Sequence, residues 1–404
     1  MKPGVLLDVS AGAVAFGTGI QRVVRDMVGA WPRAEVELVV WDEGLDTYRP
    51  PSAVEFLRLG VVDQPSSELH TQRSAPSQQH SWFLVPDFVH QFSRREAIRA
   101  TVEAQELNLS YFVHDCVPVT TPETTIKEMT PAFSEYVLDL ARADLVFTNS
   151  ISTAEELKAT WGAAELFGKA LPSVISVGLP NELPKPQVGH RDSDKEDLKV
   201  LWVGSSEPRK NLGGVLFASE RLWSQGLIFK LVLVGNRSWS DQDEQNYLNS
   251  LVARGRDIER HFEVSDGELV DFYRTSDVLV FPSLHEGFGL PIIEALSHGL
   301  PVITSEFGSM GQLACHGGCI TVDPNDDQAF ELALKNVLTD SSLRKSLMNQ
   351  ALNTTHLTSH DFVNRIREGL QLKTSLFDDS INGKKEQSKQ QDVYWHYRGH
   401  AGPM

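Results

Sequence analysis

DVLVFPSLHEGFGLPIIEALSHGLPVITS, residues 277–305, reads as strand, tight turn, helix and strand. DVLVFPS and LPVITS are apolar on consecutive positions, the pattern of strands buried on both faces of a parallel sheet. HEGFG is the turn between the first strand and the helix. Gly287 and Gly289 let the backbone bend sharply, and Pro291 stands where a first helical turn begins, a position that needs no N–H partner. A strand, a crossover helix and a second parallel strand form the unit of a doubly wound α/β sheet.

The same alternation extends outward. LKVLWVG (198–204) and FKLVLVG (229–235) are further strands, with helices expected around 211–225, 241–254, 266–276, 291–298 and 326–338. Upstream, NELPKPQVGHRDSDKEDL (181–198) has two prolines, dense charge and no apolar periodicity, and reads as a linker. Before it the alternation recurs in VLLDV (5–9), VELVVWD (36–42), SWFLVPD (81–87), LSYFVHD (109–115) and ADLVFTNS (143–150), with helices at 20–31 and 152–162. Two doubly wound domains are therefore expected, at 1–180 and 199–356. SHDFVNRIREGLQL supplies a last amphipathic helix within 357–372, and 373–404 reads as a polar, mobile tail despite the aromatic VYWHY (393–397).

Composition narrows the function. The 404 residues carry 37 Lys and Arg against 54 Asp and Glu, a net charge of −17. Such a chain repels nucleic acid and anionic lipid, so any bound anion needs a local positive site. Three cysteines, Cys116, Cys315 and Cys319, are too few and odd in number for a disulfide scaffold and fit a reducing cytoplasm. CHGGC (315–319) has no second Cys/His pair at zinc-like spacing, and its thiols are expected to be buried beside a glycine turn. The start of the chain lacks signal-peptide character, and no run of about 18 apolar residues spans a bilayer.

Two glutamates, Glu286 and Glu294, flank a turn whose free amides near Phe288, Gly289 and Leu290 suit an anion. Glutamates at a helix start also satisfy the helix dipole alone, and glycines with a proline also make an ordinary βα turn. A carboxylate one turn into the helix can, however, accept both hydroxyls of a ribose. The matching cations stand at the first βα turn of the second domain, in LWVGSSEPRKNLGGVL (201–216), where Arg209 can grip a diphosphate and Lys210 adds a point charge.

VGSSEPRKNL, LVLVG, FEVSDGELVDFYRTSDVLVFPSLHEGFGLPIIEA and GLPVITS, in order over roughly 200–325, resemble the donor domain of family 4 glycosyltransferases. E-G-F-G-L-P-x-x-E-A is that family's E-x7-E signature. FGTGIQRVVRDM, YFVHDCVP and LVFTNSIST match more loosely. The resemblance implies an α/β protein of the GT-B fold, with two Rossmann-like doubly wound domains facing across a cleft and the last helix crossing back to the first. It implies a retaining, hexosyltransferase-type glycosyltransferase with a nucleotide-diphosphate sugar as donor, a glycan or lipid-linked acceptor, no metal and no cofactor, working in the synthesis of a bacterial surface polysaccharide. The site is expected in the cytoplasm, with attachment to the inner face of the membrane left open along with oligomeric state.

Carried over residue by residue, the resemblance gives Arg209 and Lys210 to the diphosphate, Glu286 to donor-sugar hydroxyls and the reacting centre, and Glu294 to the ribose. The amides of Gly287, Phe288, Gly289 and Leu290 would serve sugar and phosphate, Val264 the base, and Gly17 and Gly19 the donor phosphate. His114 would lie beside the donor sugar in an orienting or polar catalytic role. As bare residues, a glycine loop is as readily flexible backbone, and a histidine at a strand end is more often structural. Asp87 and Asp115 are further candidates at the cleft rim. Two departures stand out: Ser205 replaces an arginine that many relatives carry, a place Arg209 could fill, and Gly311 and Gln312 stand where relatives often have Pro-Glu. A non-catalytic nucleotide-sugar or glycan-binding relative and a GT-B epimerase are the alternatives.

Overall fold

The computed structural model describes residues 4–14, 19–61, 80–164, 171–183, 197–235 and 242–381, with side chains to residue 374 in the last helix. The described residues group into two compact units, divided between Pro180 and Asn181. The second also takes in Thr121–Ile126, and the first takes in the chain from Leu357. Most of the expected linker, residues 184–196, lies outside the described residues.

The first unit is built on strands β1 (Gly4–Asp8), β2 (Val36–Asp42), β3 (Thr47–Arg49), β4 (His80–Val85), β5 (Asn108–Val113), β6 (Leu145–Thr148) and β7 (Ser173–Ser176). Among the described residues they form one sheet in the order β3-β2-β1-β4-β5-β6-β7, parallel throughout except for the β2–β3 hairpin at its edge. Every residue of β1 is buried, as its unbroken apolar run requires. One face of the sheet packs Phe83, Val85, Tyr111 and Val113 against Phe133, Tyr136 and Trp161. The helix Ile151–Ala163 opens where Ser150 accepts the amide of Thr153 at 3.0 Å.

The helix Ser359–Ile381 belongs to this unit and runs past the boundary expected at 372. Arg365 donates to the carbonyl of Val177 at 2.9 Å, and Arg367 grips Glu35 through two nitrogens at 2.6 and 2.9 Å. A side chain at Gly369 would come within 2.7 Å of the Phe147 ring, so only glycine lets this helix lie so close to β6.

The second unit holds β8 (Lys199–Val203), β9 (Lys230–Val234), β10 (Ile258–His261), β11 (Val278–Phe281), β12 (Val302–Ser305) and β13 (Cys319–Val322), all parallel, in the order β10-β9-β8-β11-β12-β13. Val200, Trp202, Val278, Val280 and Ile303 pack with Leu216, Leu334 and Val337 of the covering helices. The strand order reverses between β8 and β11, so the loops after these strands flank the crevice where open α/β sheets bind ligands. The equivalent reversal in the first unit lies between β1 and β4.

Candidate active site

The β8 loop is assembled by close backbone contacts. Gly235, at the end of β9, has φ +139, and a Cβ there would fall 2.0 Å from the carbonyl oxygen of Gly204. After Gly204 the chain makes one 3-10 turn at Pro208–Lys210, then enters the left-handed region at Asn211, φ 53. The Asn211 side chain accepts the amide of Gly214 at 3.2 Å and donates to the carbonyl of Pro324 at 3.0 Å, capping the helix Leu212–Ser224. Arg209 and Lys210 are thereby held on a fixed turn. The carbonyl of Arg209 accepts the amide of Leu284 at 2.7 Å, tying this turn to the one after β11.

In the second turn Gly289, φ +106, is the N-cap of the helix Leu290–Ser297, with Pro291 in its first turn. The Glu286 carbonyl accepts the buried Ser309 hydroxyl at 2.8 Å. The Glu286 carboxylate bridges the two loops: Arg209 Nη1 donates to Oε2 at 2.7 Å and Lys210 Nζ to Oε1 at 2.5 Å. Only 9% of Glu286 is exposed. Burial alone would raise its pKa, but Arg209 and Lys210 outweigh burial and hold it at about 2. Burial lowers the pKa of Lys210, against the opposing pull of Glu286. Lys210 Nζ also stands 5.1 Å from the Phe281 ring centroid. Glu207 takes a further bond from Arg209, at 2.8 Å, and one from the Ser205 hydroxyl.

Arg209, Lys210 and Glu286 thus meet in one ion cluster, where the sequence reading had the cations and the glutamate serving different parts of a ligand. Gly287, Phe288 and Gly289 are buried in the same turn and Leu290 is half-buried. Glu294 is 3% exposed, and one of its carboxylate oxygens accepts the Tyr273 hydroxyl at 2.7 Å. The Tyr273 ring stacks on His298, whose Nδ1 lies 2.7 Å from the Glu294 carbonyl. Val264 is half-buried in the connection after β10, just before the Ser265–Glu268 capping box. Sequence reasoning missed Tyr273 and Ser309. Tyr273, five residues ahead of β11 in DFYRTSDVLVF, carried the only signal.

In the first unit, His114 follows β5. Its Nε2 lies 2.8 Å from the Pro86 carbonyl, which makes Nε2 the protonated nitrogen of a neutral ring and Nδ1 an acceptor. Burial lowers its pKa to about 4, against that hydrogen bond. Asp115 accepts the amide of Val117 at 3.2 Å. Gly19 is exposed at the start of the helix Gly19–Ala30, while Gly17 lies outside the described residues.

Asp87, expected at a cleft rim, is buried in an ion network. Arg94 donates to Asp87 at 2.9 and 3.1 Å and to Asp8 at 2.7 Å, and Tyr48 donates to Asp8 at 2.6 Å. Asp8 ends β1 and Asp87 follows β4, so two carboxylates share one guanidinium at the sheet's reversal point. The sequence reading also missed Arg94. CHGGC departs from expectation too: Cys315 is exposed and Cys319 half-buried, because Gly317 and Gly318, φ +97 and +77, turn the chain at the surface. No group of three His, Cys, Asp or Glu side chains among the described residues could hold a metal.

Residues 187–354 match the family described as Glycosyl transferases group 1. The serotype-specific mannosyltransferase WbdA of Escherichia coli is 31% identical over 216 residues, which cover 50% of this chain and 26% of WbdA. The O-antigen chain mannosyltransferase B of Escherichia coli is 37% identical over 150 residues, covering 36% of this chain and 38% of the relative. The chain therefore spans well under half the length of either curated relative. Among solved structures, Anabaena HepE in complex with UDP and glucose superposes with a TM-score of 0.66 at 16% identity, over 91% of this chain and 99% of HepE. The fold is that of the GT-B glycosyltransferases.

Proposed function

We propose that this chain, whose residues 187–354 belong to the group 1 glycosyl transferases, is a retaining glycosyltransferase that moves a sugar from a nucleotide-diphosphate sugar to a glycan or lipid-linked acceptor. The observation that carries this reading is the meeting of Arg209, Lys210 and Glu286 at the β8/β11 reversal, beside the N-terminus of the helix that bears Glu294. The two cations and the helix amides suit a diphosphate, and two carboxylates on the same turn and helix suit neutral polyols on either side of it. The O-antigen and serotype mannosyltransferases similar to this chain support a bacterial surface polysaccharide as product and mannose as the first sugar to try.

In this reading the acceptor hydroxyl attacks on the face that the leaving diphosphate occupies. Arg209, Lys210 and the amides of Phe288, Gly289 and Leu290 stabilise charge as it builds on that diphosphate. The departing phosphate oxygen takes the acceptor's proton, and the sugar passes through an oxocarbenium-like state. Glu294, oriented by Tyr273, accepts the ribose hydroxyls, and Val264 borders the base. We assign neutral His114 of the first unit, through its acceptor nitrogen, an orienting role toward a sugar hydroxyl. The reaction runs without metal or cofactor, in the cytoplasm or at the inner face of its membrane. No helix among the described residues is long and apolar enough to cross a membrane.

The test is incubation with a panel of nucleotide sugars, with and without glycan acceptors, following nucleoside diphosphate release and the anomeric configuration of the product by NMR. Transfer with retained configuration is expected. Binding without turnover would favour a scaffold, sugar isomerisation without an acceptor would favour an epimerase, and an inverted product would overturn the mechanism.

A further inference from the structure

The ion cluster that marks the site also neutralises it. Arg209 and Lys210 contribute two positive charges, and Glu286 and Glu207, both ion-paired to them, two negative ones. A diphosphate approaching this balanced group gains little Coulomb energy unless a carboxylate leaves. Glu286 is the carboxylate in the way of a group that must touch both cations, because it bridges Arg209 Nη1 and Lys210 Nζ with one oxygen each, whereas Glu207 bonds Arg209 alone, through Nε and Nη2. Its main chain stays put: Ser309 holds the Glu286 carbonyl, and Leu284 is tied to Arg209. Only the side chain is left to swing.

Once displaced, a carboxylate in so buried a place needs new donors, since a stranded buried charge is strongly unfavourable. The hydroxyls of a sugar joined to the diphosphate supply them, and a bare nucleoside diphosphate does not. Resting on the reading of this site as a nucleotide-sugar site, we infer that Glu286 is a specificity-determining residue that biases the Arg209–Lys210 pair toward the intact nucleotide sugar and against the nucleoside diphosphate left after transfer. When the sugar departs, Glu286 returns to the two cations and helps to expel the nucleotide.

The test is titration calorimetry on the full chain with UDP and UDP-glucose, and with GDP and GDP-mannose, comparing wild type, Glu286→Gln and Glu207→Gln. For the pair that binds, Glu286→Gln is expected to bind the nucleoside diphosphate at least about tenfold more tightly than wild type, which is about 1.4 kcal/mol, and to gain much less for the nucleotide sugar. Glu207→Gln, which removes the same formal charge from the cluster, is expected to keep the wild-type ratio of the two affinities. Should Glu286→Gln not fold, Glu286→Asp, whose carboxylate falls one methylene short of the cations, is expected to move the ratio in the same direction. An unchanged ratio in the Glu286 variants, or an equal change in Glu207→Gln, would overturn the inference while leaving the nucleotide-sugar reading intact. No binding of any of the four nucleotides to wild type would overturn both.

Discussion

Replacing Lys210 by methionine removes one charge from the site and keeps a stem that can still pack near Phe281, whose ring centroid lies 5.1 Å from Nζ. Two consequences separate. For folding, Glu286 loses the bond at 2.5 Å and keeps Arg209 at 2.7 Å. Stripping a buried ion of its partner costs about 3–5 kcal/mol, and the surviving arginine brings the expected loss to about 2 kcal/mol. For turnover, deleting one preorganised group facing developing charge lowers kcat roughly 10²–10³-fold, about 3–4 kcal/mol of barrier. Lys210→Arg keeps the charge in a different shape and is expected to fall between. Hydrogen exchange of the β8 and β11 amides reads the stability of the second unit alone, and steady-state transfer at saturating donor reads kcat. A Lys210→Met protein turning over within about threefold of wild type would refute the assignment of Lys210 to the leaving diphosphate.

Other expectations reach both units. Burial, against the pull of Arg94, raises the pKa of Asp87 from 3.8 to about 6. With the folded pKa above the unfolded one, its contribution is fully present below about pH 4 and lost as pH rises through about 6, a change of about 3 kcal/mol. Asp87→Asn should flatten that slope in the stability of the first unit, and an unaltered slope would contradict the charge count. Tyr273→Phe removes the hydroxyl bonded to Glu294 at 2.7 Å. It should cost about 1–3 kcal/mol in stability and raise the donor KM more than it lowers kcat, whereas a pure kcat loss would separate Glu294 from ground-state binding. A Cβ at Gly311 would stand 2.1 Å from the Glu306 carbonyl oxygen. Gly311→Ala should therefore cost about 1–3 kcal/mol or more, shift Ser309 off the Glu286 carbonyl and depress turnover, and a wild-type melting curve would show that the turn yields freely.

The buried strands were legible because each is an unbroken apolar run. Edge strands were not: IERH in β10 is polar and half-buried, TYR in β3 is three residues long, and CITV in β13 follows a glycine pair that reads as a turn. Polar edges take their conformation from a neighbouring strand, which local pattern does not display. At the site, EGFGLPIIE and the Arg209–Lys210 pair, each with ordinary uses alone, showed in the sequence because together and in order they resemble the donor domain of family 4 glycosyltransferases. That Glu286 would bond both cations did not, since the contact spans 76 and 77 residues and depends on β8 lying beside β11. Asp8 and Arg94 escaped notice for the same reason, with 86 residues between them, and Asp87 showed only as a rim candidate.

The decisive experiment is a crystal structure of the full chain with an unhydrolysed nucleotide sugar. The diphosphate is expected on Arg209, Lys210 and the amides of Phe288 to Leu290, the ribose on Glu294, and Glu286 turned from the cations to the sugar hydroxyls. A nucleotide bound elsewhere, or one bound here with both Glu286 ion pairs unbroken, would contradict that assignment.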